Sequence, residues 1–220
     1  MKDADRIIVL HSTAFSEKSL VIHCLSRQYG RRSFLVGNVS RTAAFFQPLN
    51  ILDCEIAANP KSSLFRASAF QSAHPLAGIR SSYGKNAISM FMAEVLFRAL
   101  REDADESGLF EWMESEILLL DALEGSYANF HIRFLLDFAA AMGFSPSMEA
   151  LLPFMEECGA AAGTFLRCSP ADSMLVPLNG TQRSFLCTRL LKYLEFHLES
   201  KLNIRSLAIL QELQTNNNRI

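Results

Sequence analysis

The N-terminal part of the chain alternates short apolar runs with polar breaks. Three runs are rich in β-branched and aromatic residues: Ile7–Phe15, Ser19–Ser26 and Ser33–Val39. The first break, Ser16–Lys18, is short enough for a hairpin turn. The second break, Arg27–Arg32, contains Gly30, which reaches the positive φ that tight turns often need. The pattern predicts a meander of three antiparallel strands.

Two further runs continue the strand pattern. Leu49–Ile56 alternates apolar and polar positions, and Leu64–Ala73 alternates more loosely, with the turn signal Asn59-Pro60-Lys61 between them. Five strands within about 75 residues leave no room for crossover helices, so the pattern predicts a small closed or half-closed barrel.

Helical periodicity replaces strand periodicity beyond Pro75 and Gly78. Apolar residues three and four positions apart predict five helices. The first starts near Lys85, the next two span Leu109–Leu123 and Tyr127–Met142, the fourth starts near Thr181, and the last spans Ser206–Leu213. Residues 146–180, rich in proline and glycine, are expected to form a loop-rich insert with short helical turns or a hairpin near Gly163–Arg167. The predicted fold class is α+β: a five-stranded barrel in residues 1–77, followed by an α-helical bundle in residues 78–220.

The charges of the chain divide unevenly between these two parts. Residues 1–77 hold nine lysines and arginines against five acids, a net charge of +4, whereas residues 78–220 sum to −6. Barrels of the oligonucleotide/oligosaccharide-binding (OB) type bind single strands by combining a cationic groove with exposed aromatic rings. The candidate DNA-binding residues are therefore those in and around the two turns: Lys18, Arg27, Tyr29, Arg31, Arg32 and Arg41. The alternative, that they are ordinary solvated turn residues, stays open on spacing alone.

No catalytic or metal-binding motif stands out. The five histidines have no ligand spacing, although His11 and His23 lie in adjacent predicted strands. Cys158 and Cys168 lie ten positions apart without the two further ligands that a zinc site needs, so no metal or other cofactor is expected. The charged N-terminus and the absence of long apolar runs predict a cytoplasmic protein without a membrane segment.

Several stretches resemble the bacterial recombination mediator family RecO. The opening IVLHSTAFSEKSLVIHCLSRQYGRRSFLVG resembles the strand–turn–strand start of that family, with its turn at Ser26–Gly30 and its later glycine at Gly37. Gln47-Pro48-Leu49 resembles the entry to the fourth strand of the family. Residues 190–198 and 204–207 resemble its closing helices. The likeness follows the chain in order and agrees with the barrel-then-helices arrangement.

The resemblance implies a non-enzymatic role in recombinational DNA repair by the RecF pathway. It implies binding of single- and double-stranded DNA, annealing of complementary strands, contact with RecR and with the C-terminal tail of single-strand-binding protein, and loading of RecA. Arg133 and Lys192 are the candidate partners for the carboxylate of that tail. The family often carries a four-cysteine zinc finger in its helical domain. Here only Cys158 and Cys168 lie in that region, so zinc is not carried over.

Two other classes of function remain as alternatives. In one, the barrel is a protein-interaction adaptor without a physiological nucleic acid. The other is a hydrolase or metalloenzyme, for which no grouping of nucleophile, base and orienting residue is visible. Salt-dependent binding of an oligonucleotide separates a DNA-binding mediator from the adaptor.

Overall fold

A computed structural model describes residues 2–37, 43–57, 64–102, 108–144 and 146–216. Five strands come first in the chain: β1 (Asp3–Ser16), β2 (Ser19–Ser26), β3 (Gly30–Gly37), β4 (Ile51–Ala57) and β5 (Phe65–Ser72). The α-helices that follow are α1 (Ala77–Ser81), α2 (Tyr83–Ala99), α3 (Leu109–Ala122), α4 (Phe130–Ala141), α5 (Met148–Met155), α6 (Gly159–Arg167), α7 (Pro170–Ser173), α8 (Gly180–His197) and α9 (Ser206–Asn216). Short 3-10 turns form at Ala43–Phe46 and Glu156–Cys158.

The strands close into a barrel in the order β1-β2-β3-β5-β4. All neighbours are antiparallel except β3 and β5, which are parallel and pair only at Phe34–Phe65 and Leu35–Arg66. Alternate residues of each strand fill the interior, where Ile7, Ile22 and Phe34 are fully buried. A five-stranded barrel followed by helices confirms the predicted α+β fold class with its OB-type barrel.

Gly30 has the conformation that its turn requires. Its φ is +62°, a region that a residue with a Cβ atom rarely adopts. Gly30 pairs with Ser26 across the turn, so β2 and β3 stay in register along their whole length. The predicted hairpin turn between Arg27 and Arg32 is therefore present.

The chain forms two compact units. The first comprises residues 1–77 with 93–119, and the second comprises residues 78–92 with 120–220. The barrel and the nearby ends of α2 and α3 thus belong to the first unit, here called the barrel unit, and the remaining helices belong to the second, the helical unit. The domain limits given by the sequence, 1–77 and 78–220, stay a prediction.

The helical unit is built around α4 and α8. Eight of the twelve residues of α4 are buried, including Phe130, Phe134 and Phe138, as its apolar sequence predicts. Helix α8 packs on α4, and α5 packs on both α6 and α8. The side chain of Asn179 and that of Gln182 cap the first turn of α8 reciprocally.

The insert differs from its prediction. Residues 146–180 hold three short helices, and α6 spans the proposed hairpin position. Pro170 stands at the first position of α7, where its missing N–H group costs nothing. Gly163 is closely packed, because a Cβ atom there would lie 3.0 Å from the Arg167 guanidinium and 3.1 Å from the sulfur of Met148. Gly159 and Pro170 stand at helix starts, Pro153 lies inside α5, and the loop-rich interpretation was wrong.

Candidate nucleic-acid interface

Arg27 leaves the β2–β3 turn to meet helix α3 within the barrel unit. Its guanidinium forms ion pairs with Glu111 at 3.3 Å and with Glu114 at 2.8 Å, and it lies over the ring of Phe110. Arg6 of β1 reaches the other carboxylate oxygen of Glu114 at 3.1 Å. The largely buried Glu114 therefore already binds two arginines, and much of the positive charge of Arg27 is neutralised inside the unit.

Arg31 is a buried residue of the barrel unit. Only 4% of it is exposed. Its guanidinium lies 3.6 Å from the carboxylate of Glu102 and over the ring of Phe97. Ser33, two residues along β3, donates a hydrogen bond to the same carboxylate. This arrangement ties the end of α2 to the outer surface of the barrel.

Tyr29 and Arg32 share one aromatic partner on β5. The Tyr29 ring packs against Phe65 at 5.5 Å, and its hydroxyl donates a long hydrogen bond of 3.4 Å to Asp3. The guanidinium of Arg32 lies over the same Phe65 ring, at 5.3 Å from its centroid. Tyr29 and Arg32 are both half-buried, so internal packing occupies much of each side chain.

A buried acid fixes the shape of this turn. The Ser26 hydroxyl donates to the carboxylate of Asp5 and accepts a hydrogen bond from the Tyr29 amide at 2.9 Å. Burial raises the pKa of Asp5, against the opposing effects of its hydrogen bonds and of Arg27. The turn that the sequence marks as basic is thus a network of internal contacts.

Lys18 lies far from these residues. It occupies the β1–β2 turn and is exposed. Lys18 and Arg27 are nine positions apart at opposite ends of β2, which separates the two by about 30 Å at the usual rise of a strand. Arg41 lies outside the described residues. The six predicted DNA contacts do not form one cluster, and their role in binding DNA stays a prediction.

A second set of residues forms a continuous line across the outside of the barrel. Thr13 pairs with Val21, Val21 with Leu35, and Leu35 with Arg66, so four strands contribute neighbouring residues. The residues that flank these positions on β2, β3 and β5 point into the core: Ile22, Phe34 and Ala67. We call Thr13, Val21, Leu35 and Arg66 the outer row. Its side chains face outward, and those of Thr13 and Arg66 are exposed.

Phe15 follows Thr13, the β1 member of the outer row, by two positions. The pairing of β1 with β2 shifts register between Ala14 and Ser16, so Phe15 is the extra residue of a bulge. Its ring is 66% exposed. Lys18 follows in the same hairpin. Neither Lys18 nor Arg66 has an acidic partner within the described ranges of the chain.

An open groove of about 710 Å³ runs beside the outer row. Its walls come from β3, β4 and β5, and include Leu35, Gly37, Arg66 and Ser68. Lys2 also lines the groove, but its ammonium is paired with Glu55 at 2.8 Å. Unpaired cations, an exposed aromatic ring and a groove between strands together provide what a single strand of nucleic acid needs for binding.

Sequence reasoning missed Phe15 and Arg66. Phe15 directly precedes the polar break Ser16–Lys18. Its place at the tip of a hairpin indicates an exposed ring, but the strand pattern alone counts it among the core residues. Arg66 precedes Ala67 in a weakly alternating run, so its outward face follows only once β5 has been paired with β3.

The two residues predicted to bind a partner's carboxylate lie in the helical unit. Arg133 of α4 forms an ion pair with Asp137 at 2.6 Å and donates to the carbonyl oxygens of Phe165 and Cys168 at the end of α6. Lys192 of α8 is exposed and has no acidic partner in the described part of the unit. Arg133 is therefore occupied by contacts within the helical unit, whereas Lys192 is available to a ligand.

Lys192 lines a groove of about 760 Å³. Phe196, one helical turn further along α8, is 66% exposed and contacts Phe154 and His197 with its ring. Lys201 also lines the groove, and its ammonium pairs with Glu195 at 3.4 Å. An exposed ring beside a lysine can receive an apolar side chain and a carboxylate together.

The cysteines of the insert are free thiols. The Cys158 thiol donates to the carbonyl oxygen of Met155, and burial raises the pKa of this thiol. The Cys168 thiol lies 3.6 Å from the carbonyl oxygen of Phe165. Within the described ranges, no three histidine, cysteine or acidic residues converge on a metal site. In those ranges, no helix has both the length and the apolar character needed to cross a bilayer.

Two family models match the barrel and the helices that directly follow it. The family described as "Recombination protein O N terminal" matches residues 1–76, and "Recombination protein O C terminal" matches residues 80–150. The DNA repair protein RecO of Phocaeicola vulgatus is 32% identical over 94% of this chain and 96% of its own length. The RecO protein of Flavobacterium psychrophilum is 26% identical over 97% of this chain and 99% of its own length. The RecO protein of Bacteroides fragilis is 36% identical over 64% of this chain and 61% of its own length.

These matches cover the barrel, the following helices and, in two relatives, nearly the whole chain. They confirm the resemblance seen in the strand and helix segments, and they assign the chain a role in DNA repair and recombination. The chain belongs to the RecO family of DNA repair proteins.

Proposed function

We propose that the protein is a non-enzymatic recombination mediator that holds single-stranded DNA across the outer row of its barrel. One observation carries the proposal: Arg66 belongs to a line of outward residues whose β1 member, Thr13, is followed in its hairpin by the exposed ring of Phe15 and by Lys18. Neither cation has an acidic partner among the described residues. Bases stack on an exposed ring whatever their sequence, and cations attract the phosphates between them. Binding of this kind suits a protein that must act on any damaged sequence.

Strand annealing follows from the same surface. A protein that binds the backbone and one face of the bases leaves the other base edges open to a complementary strand. We propose that it also binds duplex DNA, cooperates with RecR, and helps to load RecA onto strands coated with single-strand-binding protein. We assign these activities to the cytoplasm, at the nucleoid.

The groove beside Lys192 supports contact with the acidic, apolar-ended tail of single-strand-binding protein. The Lys192 ammonium would pair the terminal carboxylate, while Phe196 and Phe154 would receive an apolar side chain. Glu195 and Glu199 line the same groove and disfavour acidic residues on their side, which orients the peptide toward Lys192. Arg133, already bound to Asp137, is the weaker candidate for this role.

Tail binding is tested with a fluorescent peptide that has the sequence of the C-terminal tail of single-strand-binding protein. Lys192→Glu is expected to weaken peptide binding, because it replaces the cation by a third acid in the groove. Arg205→Glu is the matched control, since Arg205 is an exposed arginine of the same unit outside the groove. Equal affinities for the two variants would remove Lys192 from the site.

The proposed function is tested by annealing. Complementary strands are coated with single-strand-binding protein and mixed with and without this protein, while fluorescence anisotropy follows its binding to a thymidine oligonucleotide at increasing salt. Affinity is expected to fall linearly on a log–log plot, because each neutralised phosphate of a single strand releases about 0.7 of a counterion. An adaptor without a nucleic-acid ligand would show neither annealing nor salt-dependent binding.

A further inference from the structure

Two histidines stack on the outer surface of the barrel, next to the outer row. His11 of β1 pairs with His23 of β2, and their rings lie 5.9 Å apart and nearly parallel, at 15°. The ring of Phe97 contacts both, at 4.7 Å from His11 and 5.2 Å from His23. His11 is exposed and His23 is half-buried. We call His11 and His23 the histidine pair.

The histidine pair lies one step from the proposed DNA path. His11 and His23 are each two positions from Thr13 and Val21 on the same strand faces, which places the two rows about 7 Å apart. The hydroxyl of Thr13 lies 3.4 Å from the Nε2 atom of His23 and joins the two rows. A charge on this pair would therefore act directly on a phosphate bound along the outer row.

Every element around the pair contributes charged or polar groups. From β3, the Ser33 hydroxyl lies 2.8 Å from the Nδ1 atom of His23, and Arg31 repels a proton on either ring. From α2, Arg98 opposes and Glu94 favours a proton on His11. Glu102, beyond α2, favours a proton on His23.

Burial is the largest influence on both histidines, and it lowers the pKa of His11 and that of His23. Both rings are therefore mostly neutral at pH 7 and gain charge below the ordinary histidine range near 6.5. Two positive charges at the stacking distance of 5.9 Å repel each other, so the pair takes up one proton before a second. The exposed His11 is the ring that can lie against a ligand.

We propose that His11 is a further DNA-binding residue, which contacts a phosphate when protonated and thereby makes single-strand binding tighter at mildly acidic pH. The inference rests on the proposed function, because it concerns the same strand of DNA. A bound phosphate favours the protonated ring, so binding takes up a proton and affinity rises as the pH falls. Above the titration range, His11 offers DNA only a neutral ring.

The test measures affinity for a thymidine oligonucleotide at constant salt between pH 7.5 and pH 5.5. The wild-type protein is expected to bind about three- to tenfold more tightly at the lower pH, since linked uptake of one proton allows at most about tenfold per pH unit. His11→Gln is expected to flatten this dependence. His11→Lys, which carries its charge throughout the range, is expected to bind tightly at pH 7.5 and to show the same flat profile.

His197→Gln serves as the control, because His197 is an exposed histidine of the helical unit and should leave the pH profile unchanged. A wild-type protein that binds the oligonucleotide at no pH would overturn the proposed function itself. Binding that persists in His11→Gln with its pH dependence intact would overturn only the inference. Loss of binding in both His11→Gln and His11→Lys at every pH would also overturn it, because a purely structural role would then explain the result.

Discussion

Arg66 lies beside Leu35 in the parallel pair that closes the barrel. This pairing is short, and it places an arginine from the last strand next to apolar residues of β2 and β3. Strand order alone creates this neighbourhood, because residues 35 and 66 are distant in sequence. An OB-type barrel thus assembles a binding surface from residues that carry no common sequence signal.

Replacing Arg66 by glutamate is expected to weaken binding of single-stranded DNA and to reduce its salt dependence. The log–log slope should fall by about 0.7 for each phosphate that the variant no longer neutralises. Stability should change little, because Arg66 is exposed. Anisotropy titrations at several salt concentrations measure both the affinity and the slope. Arg205→Glu makes the same charge change in the helical unit, and an equal effect in the two variants would argue for a general charge effect.

The strand pattern was sufficient to predict the barrel, since period-two alternation and Gly30 directly reflect which residues face the core. It could not predict which cations stay available. Arg27 and Arg31 look like free turn charges in sequence, yet their partners Glu114 and Glu102 come from residues 70 or more positions later. Such pairs form only after the chain has folded. The prediction for the insert was wrong for a related reason, because Gly163 lies inside α6, close to the side chain of Met148, and not in a turn.

Charge reversal at Arg31 is expected to destabilise the fold. The residue is 4% exposed, so glutamate there would place an unpaired acid in a buried position beside the half-exposed carboxylate of Glu102. A buried charge that is left without a compensating partner costs about 3–5 kcal/mol. Thermal unfolding followed by circular dichroism measures this destabilisation. Lys18→Glu, at an exposed turn of the same unit, should keep the wild-type melting temperature, and an equally stable Arg31→Glu protein would contradict the burial argument.

The insert is expected to depend on a polar clamp formed by α4 and α8. Asn129, at the start of α4, donates to the carbonyl oxygens of Ser173 and Val176 and accepts from Arg183. Arg183 also donates to the carbonyl oxygen of Leu178 at 2.6 Å. Because alanine at position 129 would leave the two carbonyl oxygens without this donor, Asn129→Ala should lower the free energy of unfolding by on the order of 2 kcal/mol.

Chemical denaturation of the full chain measures that change in the free energy of unfolding. Thr164→Ala is a suitable control, since the Thr164 hydroxyl is exposed and bonds only within α6. The same denaturation curve is expected with and without a strong chelator, as predicted for an insert that holds no zinc. A chelator-sensitive curve would show that Cys158 and Cys168 bind a metal after all.

The core of the helical unit is expected to lose stability in acid through His131. This residue of α4 is 1% exposed and meets Phe91 edge-on, and burial, aided by Arg183, lowers its pKa to about 3. Since the folded state disfavours the proton that the unfolded chain accepts near pH 6.5, the neutral histidine gives full stability above pH 6.5. That stability is lost as the pH falls from 6.5 toward 3, by about 2 kcal/mol at pH 5.

Urea denaturation at pH 7.5, 6 and 5 measures this effect. His131→Gln cannot take up the proton, so its free energy of unfolding should start lower but decline less between pH 7.5 and pH 5. His197→Gln should retain the full decline, because that ring is exposed. A decline in His131→Gln as steep as in the wild type would assign the acid sensitivity to other groups. Any measurement of DNA binding near pH 5.5 must therefore also record the folded fraction, because the acid that charges His11 also weakens the helical core around His131.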